Sequence, residues 1–311
     1  MNCSEVVSLL RANDNYLLVT HKNPDGDTLG SSSALCSALR RAGKTAHLFP
    51  NPQVTDKFAP FIKQFFAPEG DQADFVISVD VPAEDMFCKT YPGTAVDLCI
   101  DHHPTNPGFG KTNLIVPEKA ACGEIVLELC EALNGDLSRE EANLLYIAVS
   151  TDTGCFQYSN TNAETFLAAA KLLNYGTENS PLNLKFFRKV SRARIELEGL
   201  IYKNMTYHHD GKVVFATLTH EIIRQTGAKE DDLDDIANLP GRCDSGIVSI
   251  MIREMEDGCK ISMRSLPIFD CSAVCAVFGG GGHKMASGCF IRDNPEGAKK
   301  QILAVIGEVL G

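Results

Sequence analysis

Along the first half of the chain, short β-branched and apolar runs alternate with stretches whose apolar positions recur at helical spacing. YLLVTH (16–21) reads as a strand, a polar loop follows it, and TLGSSSALCSALRRAG (28–43) reads as a helix. KTAHLF, DFVISVDV and VDLCIDHH read as further strands. Strands separated in this way predict an α/β fold with a mostly parallel, doubly wound sheet, helices on both faces and ligand sites at the carboxyl ends of the strands. From Ala120 to about Ser191 the pattern turns helical, in ACGEIVLELCEALN, SREEANLLYIAVSTDTG and NAETFLAAAKLLNYG. Residues 184–204 read as one connecting helix. Beyond it, alternating runs around Asp210-Gly211 and Asp257-Gly258 predict two hairpins in a smaller α+β domain. The pattern therefore divides the chain into a first domain over 1–185, a linker helix over 186–204 and a second domain over 205–311, with the boundary near residue 195.

Composition narrows the class of protein. A length of 311 residues suits about two domains, and 44% hydrophobic with 22% charged residues is the balance of an ordinary globular chain. A net charge of −11 disfavours long duplex DNA and anionic membranes as partners. The opening MNCSEVVSLL carries no basic region before an apolar core, and no run approaches a membrane span, which predicts a cytoplasmic protein. Twelve scattered cysteines without a C-x-x-C pair read as reduced, small apolar fillers. Cys271 and Cys275 lack the histidine or second cysteine pair that a structural zinc needs.

The chemistry gathers at strand ends. His21, Asp25 and Asp27 share the loop HKNPDGD, where Pro24 and Gly26 are expected to fix the turn. Asp80 ends VISVD, Asp101-His102-His103 end VDLCI, and Asp152 closes LLYIAVSTDTG. Each residue alone suits a turn, a cap or a structural histidine. Together they would place several carboxylates in one crevice, where burial and mutual repulsion demand a counter-charge. Oxygen and imidazole donors without a thiolate point to two divalent cations, manganese first, with cobalt or magnesium as substitutes.

At these residues the chain resembles the DHH phosphoesterase superfamily, with HKNPDGD, VDVP around Asp80, DHHP (101–104) and STDTGCF (150–156) in the family's order. SMRS (262–265) and FGGGGHKMASG (278–288) resemble the DHH-associated carboxyl-terminal domain. The resemblance implies that the first domain binds metal and catalyses, and that the second binds substrate across a cleft. It gives His21 and Asp25 to one manganese, Asp27, His102 and Asp152 to the other, and makes Asp80 the bridge. Asp101 would then hold the His102 ring in its ligating tautomer, and His103 would face the substrate phosphate, so that Asp80, Asp101 and His103 carry the catalysis. The implied reaction is two-metal hydrolysis, in which a shared water loses a proton and attacks phosphorus.

Four glycines at 279–282, followed by His283 and Lys284, suit a loop whose amides form an anion-binding nest, and they fit neither a P-loop nor a dinucleotide fingerprint. Arg264 could clamp a phosphate with two bonds. The resemblance turns Arg264, Ser265, Gly280, Gly281, Gly282 and His283 toward the metals as substrate-binding residues. The basic run Lys185 to Arg194 reads as the solvated face of the linker. The two-domain layout resembles the bacterial oligoribonuclease and 3′-phosphoadenosine-5′-phosphate (pAp) phosphatase group, which implies short single-stranded RNA, the dinucleotide pApA and pAp as substrates. Cyclic-di-AMP hydrolysis is an alternative. A pyrophosphatase or short-chain polyphosphatase is another, opposed by SMRS and the glycine run. A non-catalytic nucleotide sensor is a third, opposed by the complete ligand set. Serine-nucleophile hydrolysis fails for want of a G-x-S-x-G elbow. A homodimer is expected if the helices of residues 120–175 expose an apolar stripe.

Overall fold

The computed structural model describes residues 1–93 and 95–310, so Thr94 and Gly311, the last residue of the expected second domain, lie outside the description. The chain divides into two units, Met1–Lys189 and Val190–Gly311.

In the first unit, α1 (Cys3–Ala12) precedes β1 (Tyr16–Val19), α2 (Gly26–Arg41) and β2 (Ala46–Leu48). The short α3 (Ala59–Ile62) leads to β3 (Phe75–Val79), β4 (Leu98–Asp101) and β5 (Thr112–Ile115). Helices α4 (Cys122–Asn134), α5 (Arg139–Asp152), α6 (Ala163–Asn174) and α7 (Asn179–Asn183) complete the unit. All strand pairings are parallel, in the order β2-β1-β3-β4-β5. The order reverses direction at β1, which opens a crevice between the carboxyl ends of β1 and β3.

Alternate residues of the strands go to separate cores. Tyr16, Leu18, Ile77, Val79, Leu98 and Ile100 pack with apolar residues of α1, α2, α4 and α5. Leu17, Val19, Val76 and Cys99 face the other way, onto Phe87, Cys88, Tyr91 and Phe109. The second face thus carries irregular chain where a helical layer was expected. Prolines at 82, 92 and 107 and glycines at 93, 108 and 110 interrupt the β3–β4 and β4–β5 connections, which explains the difference.

Helix α2 is buried from Gly26 through Leu39, an unusual position for a helix containing Ser31, Ser32 and Ser33. Small side chains let α5 approach: a Cβ on Gly30 would lie 2.4 Å from the Leu144 carbonyl oxygen. Ser32 satisfies its hydroxyl by donating to the Thr28 carbonyl at 2.5 Å. The start of α5 is fixed by a capping box between Ser138 and Glu141, and buried Glu141 accepts from Arg41 at 2.6 Å.

The expected continuous helix over 184–204 is two segments. A wide helical turn, Leu184–Arg188, follows α7, the chain extends at Lys189, and Ser191 caps a new helix, α8 (Arg192–Lys203), by accepting from the Arg194 amide. Phe186 packs on Phe58 and Phe61 in the first unit. Arg194 is held by Glu198 and the Asp232 carbonyl in the second.

The second unit continues with β6 (Thr206–His208), β7 (Val213–Leu218), α9 (His220–Thr226), β8 (Val248–Met255) and β9 (Gly258–Ser265). Helix α10 (Cys271–Val277), β10 (Gly281–His283), β11 (Ala286–Ile291) and α11 (Pro295–Leu310) follow. The mixed sheet runs β10-β11-β9-β8-β7-β6, with β7 and β8 parallel and the other pairs antiparallel, including both expected hairpins. One face packs Ile250, Ile261, Met263 and Ile291 against Val274, Ala298 and Ile302 of α10 and α11. On the other, Ala216, Leu218 and Met251 lie under Leu197 and Ile201 of α8 and the turn around Leu239.

Phe166, Leu167 and Leu173 of α6 are exposed, which meets the condition attached to the expected dimer without showing a partner. Among the described residues no helix is long and apolar enough to cross a membrane. Replacing Gly30 with alanine improves helix propensity by about 1 kcal/mol, yet here the new methyl meets backbone. Gly30→Ala is expected to destabilise the protein by about 1–3 kcal/mol, read as a lower urea midpoint; an unchanged midpoint would contradict the close α2–α5 packing.

Candidate metal centre

The crevice at the end of β1 and β3 collects the acidic and imidazole groups. Helix α2 starts at Gly26, two residues earlier than its sequence pattern predicts, and Asp25 is its cap, with Oδ1 accepting from the Asp27 and Thr28 amides. Gly26 does more than shape a turn, because a Cβ there would meet Thr151 Oγ1 at 2.2 Å. The glycine lets the start of α2 lie against the end of α5, beside Asp152.

Asp27 is buried in the first turn of α2 and takes the amides that open α4: Oδ2 accepts from Cys122 at 2.6 Å and Oδ1 from Gly123 at 2.9 Å. These amides sit at the positive end of the α4 dipole, a favourable place for a carboxylate. The Cys122 thiol points the other way and donates to the Ile100 carbonyl.

His21 places Nδ1 2.7 Å from the Lys22 carbonyl, leaving Nε2 3.6 Å from Asp25 Oδ1 and 3.9 Å from Asp80 Oδ2. His102 places Nδ1 3.1 Å from the Lys119 carbonyl, leaving Nε2 3.5 Å from Asp80 Oδ1 and 3.8 Å from both Asp27 and Asp152. In each ring a carbonyl acceptor fixes the proton on Nδ1 and frees Nε2 as a donor of its lone pair. Three sets of ligand atoms lie within 4.8 Å of one another: His21, Asp25 and Asp80; Asp27, His102 and Asp152; and Asp80, His102 and His103.

Asp101 does not hold His102 as expected. Its Oδ1 takes the His103 ring at 2.7 Å, while Oδ2 accepts from the Asn106 amide at 2.5 Å. The reason lies in the chain: Asp101 also accepts the backbone amides of His102 and His103, a tight turn that carries the His103 ring back over it. Asn106, which also donates to the Val81 carbonyl, and the Lys119 carbonyl were not found by sequence reasoning. Neither belongs to a periodic pattern, and a backbone acceptor leaves no residue-type signal.

Asp80 has a left-handed backbone, φ +59°, and its buried Oδ1 has no hydrogen-bond partner among the described residues. Burial and the neighbouring charges of Asp27, Asp25, Asp101 and Asp152 push its pKa well above the ordinary value. Burial, Asp27 and Asp25 push Asp152 up to about 8. Burial also raises Asp27, against the pull of His102. Burial opposes the charged form of Asp101, but His103 and Asn106 outweigh it and hold its pKa low. Burial opposes the imidazolium of His103 too, and Asp101 outweighs it, so the ring titrates higher than usual. An orphaned carboxylate oxygen and a set of hard oxygen and imidazole donors fit divalent cations.

In the second unit, Arg264 donates from Nε to Asn238 Oδ1 and from Nη1 to the Met263 carbonyl, both at 3.0 Å. It lines a cavity of about 420 Å³ with Gly281 and Gly288. The Ser265 hydroxyl donates to the Phe269 carbonyl at 2.9 Å. The glycine run is not an open nest, because Gly281–His283 pair with β11. A Cβ on Gly280 would lie 2.3 Å from the Gly288 carbonyl oxygen, and one on Gly282 2.6 Å from that of Ala286. Gly280 and Gly282 therefore serve strand packing, whereas a Cβ on Gly279 or Gly281 would meet nothing within 4 Å, and His283 stands exposed on β10.

Comparison with known proteins agrees with this architecture. The DHH family N-terminal domain matches residues 15–149 and the DHHA1 domain matches residues 210–311. The chain is 31% identical to the bifunctional oligoribonuclease and PAP phosphatase NrnA of Thermus thermophilus, over 98% of this chain and 93% of that one. It is 23% identical to the protein of that description from Bacillus subtilis, over 93% of each. A crystal structure of an exopolyphosphatase-related protein from Bacteroides fragilis superposes with a TM-score of 0.87 at 25% identity, covering 98% of this chain and 95% of that one.

A carboxylate whose folded pKa is raised contributes stability that is complete below its unfolded pKa, about 3.9, and lost as pH rises through the folded value. For the chelated protein the window reaches about 8 through Asp152, and Asp80 extends the trend in the same direction. The melting temperature of the chelated protein is expected to fall from pH 5 to pH 8.5, and Asp80→Asn is expected to raise it at the alkaline end. Scanning calorimetry checks both; a rise with pH would contradict the assigned electrostatics.

Proposed function

The chain belongs to the DHH family of phosphodiesterases and phosphatases, and on that premise we propose that it hydrolyses phosphoester bonds in short oligoribonucleotides and in pAp with two divalent cations of the manganese type. One observation carries the reading: Asp80, buried and with an unpaired oxygen, stands within ligand reach of both His21 and His102. His21 and Asp25 would hold one cation, Asp27, His102 and Asp152 the other, and Asp80 would serve both. Such cations supply Lewis-acid polarisation of the phosphate and acidification of the attacking water.

The chain's own groups do the rest. Asp101 fixes Nδ1 of His103, so Nε2 is the nitrogen left to hold a proton toward a phosphoryl oxygen, and Asn106 keeps Asp101 in place by occupying its second oxygen. Hydrolysis forms one oxygen–phosphorus bond from water, breaks the ester bond and leaves a proton on the departing oxygen. In the second unit, Arg264, already oriented by Asn238, offers a fixed cation for a substrate phosphate, with Ser265 and the exposed His283 as further substrate-binding residues. Relatives carrying the oligoribonuclease and PAP phosphatase activities match over 93% of their own length, which supports this substrate class.

The test is product release from pAp, pApA, cyclic-di-AMP, a five-nucleotide RNA and pyrophosphate with manganese present. Turnover of pAp and RNA, abolished in Asp80→Ala, is expected; turnover of pyrophosphate alone would overturn the substrate reading. Asn106→Ala is expected to lower kcat about 10- to 100-fold by releasing the Asp101–His103 pair. Manganese at about 100 times its dissociation constant should stabilise the chelated protein by about 2.7 kcal/mol, and an unchanged melting curve would contradict the metal site.

A further inference from the structure

Alternation along β9 and β11 sends Ile261, Met263, Cys289 and Ile291 into the core beneath α10 and α11. The opposite face carries Lys260, Ser262 and Arg264 from β9, paired across to Phe290, Gly288 and Ala286 of β11. Over β7 and β8 this second face is covered by α8 and the turn at Leu239, but over β9 and β11 it is open and forms the cavity that Arg264 lines. Its floor is made of glycine, serine and alanine, so it is flat. At the end away from Arg264, Phe290 is 43% exposed. Lys260 beside it makes no ion pair among the described residues, whereas Arg253 in the adjoining row is taken by Glu230.

A flat floor, an exposed aromatic ring and a free ammonium on a chain of net charge −11 are chemistry for a base and its phosphate. Four residues of strand separate Lys260 from Arg264, about 13 Å, more than a single phosphate group spans. We infer that the open face around Lys260 and Phe290 is a second nucleotide subsite, which stacks the next base of an oligoribonucleotide and neutralises its phosphate while leaving pAp untouched. The inference rests on the phosphoesterase reading above and deepens it: pAp would use the Arg264 end alone, and longer RNA would use both ends.

The experiment measures kcat/KM for pAp and for a five-nucleotide RNA in the wild type, Lys260→Gln, Phe290→Ala and Phe290→Tyr. Lys260→Gln and Phe290→Ala are expected to lower the RNA value about fivefold or more, with pAp within about twofold and Phe290→Tyr retaining RNA turnover. For Lys260→Gln the salt dependence of the RNA value should become shallower by about 0.7 in log–log slope. An unchanged RNA-to-pAp ratio, or an equal fall on both substrates, overturns the subsite. Lys260→Gln, a surface change, decides the matter if Phe290→Ala lowers the melting temperature. A wild type inert toward both substrates overturns the phosphoesterase reading itself, and the subsite with it.

Discussion

Like charge at close quarters is the constraint that organises the first unit. Asp25, Asp27, Asp80, Asp101 and Asp152 meet where β1, β3 and β4 end, and the fold gives most of them something to hold. Asp25 caps α2, Asp27 takes the first amides of α4, and Asp101 has an imidazole and an amide. Backbone dipoles are fixed partial charges, so they compensate a carboxylate without introducing a side chain that could compete for the crevice. Among the described residues Asp80 Oδ1 has no hydrogen-bond partner and Asp152 Oδ2 has a long contact from Asn160 at 3.4 Å, and burial with the neighbouring carboxylates raises the pKa of both. What the polypeptide leaves uncompensated is where a cation gains most.

The close approach of α2 and α5 is the mechanical counterpart. Gly26 and Gly30 occupy the places where a Cβ would strike Thr151 and the Leu144 carbonyl, and of the buried serines of α2, Ser31 donates to Asp27 and Ser32 to the Thr28 carbonyl. The small residues bring Asp27 and Asp152, which lie on different helices, toward the same imidazole, His102. Helix packing and ligand geometry are therefore one requirement on the sequence.

Much of this was legible in the residues. Parallel strands announce themselves as apolar runs, and a charged residue at the end of such a run has few places to go other than the crevice; Asp80, Asp101 and His102 all lie where that logic puts them. Less visible features depend on partners distant in sequence or on backbone atoms. His102 leans on a carbonyl at Lys119, and Asp101 chose the adjacent His103 because of a local turn. The break at Lys189 was masked by helix-forming residues on both sides of it. The glycine run carried two physical meanings, open loop or close-packed strand, and only the pairing of Gly281 with Gly288 distinguishes them.

Cys122 has a consequence of another kind. Its amide serves Asp27, its thiol turns to the Ile100 carbonyl, and burial together with Asp27, Asp80 and Asp101 pushes that thiol far above its ordinary pKa. A soft metal ion seeks thiolate, and this sulfur is kept as a thiol by the same negative charge that invites a cation. Burial and the acidic cluster thereby hold Cys122 in its protonated form, a poor ligand, while the carboxylates and imidazoles of the crevice present hard donors.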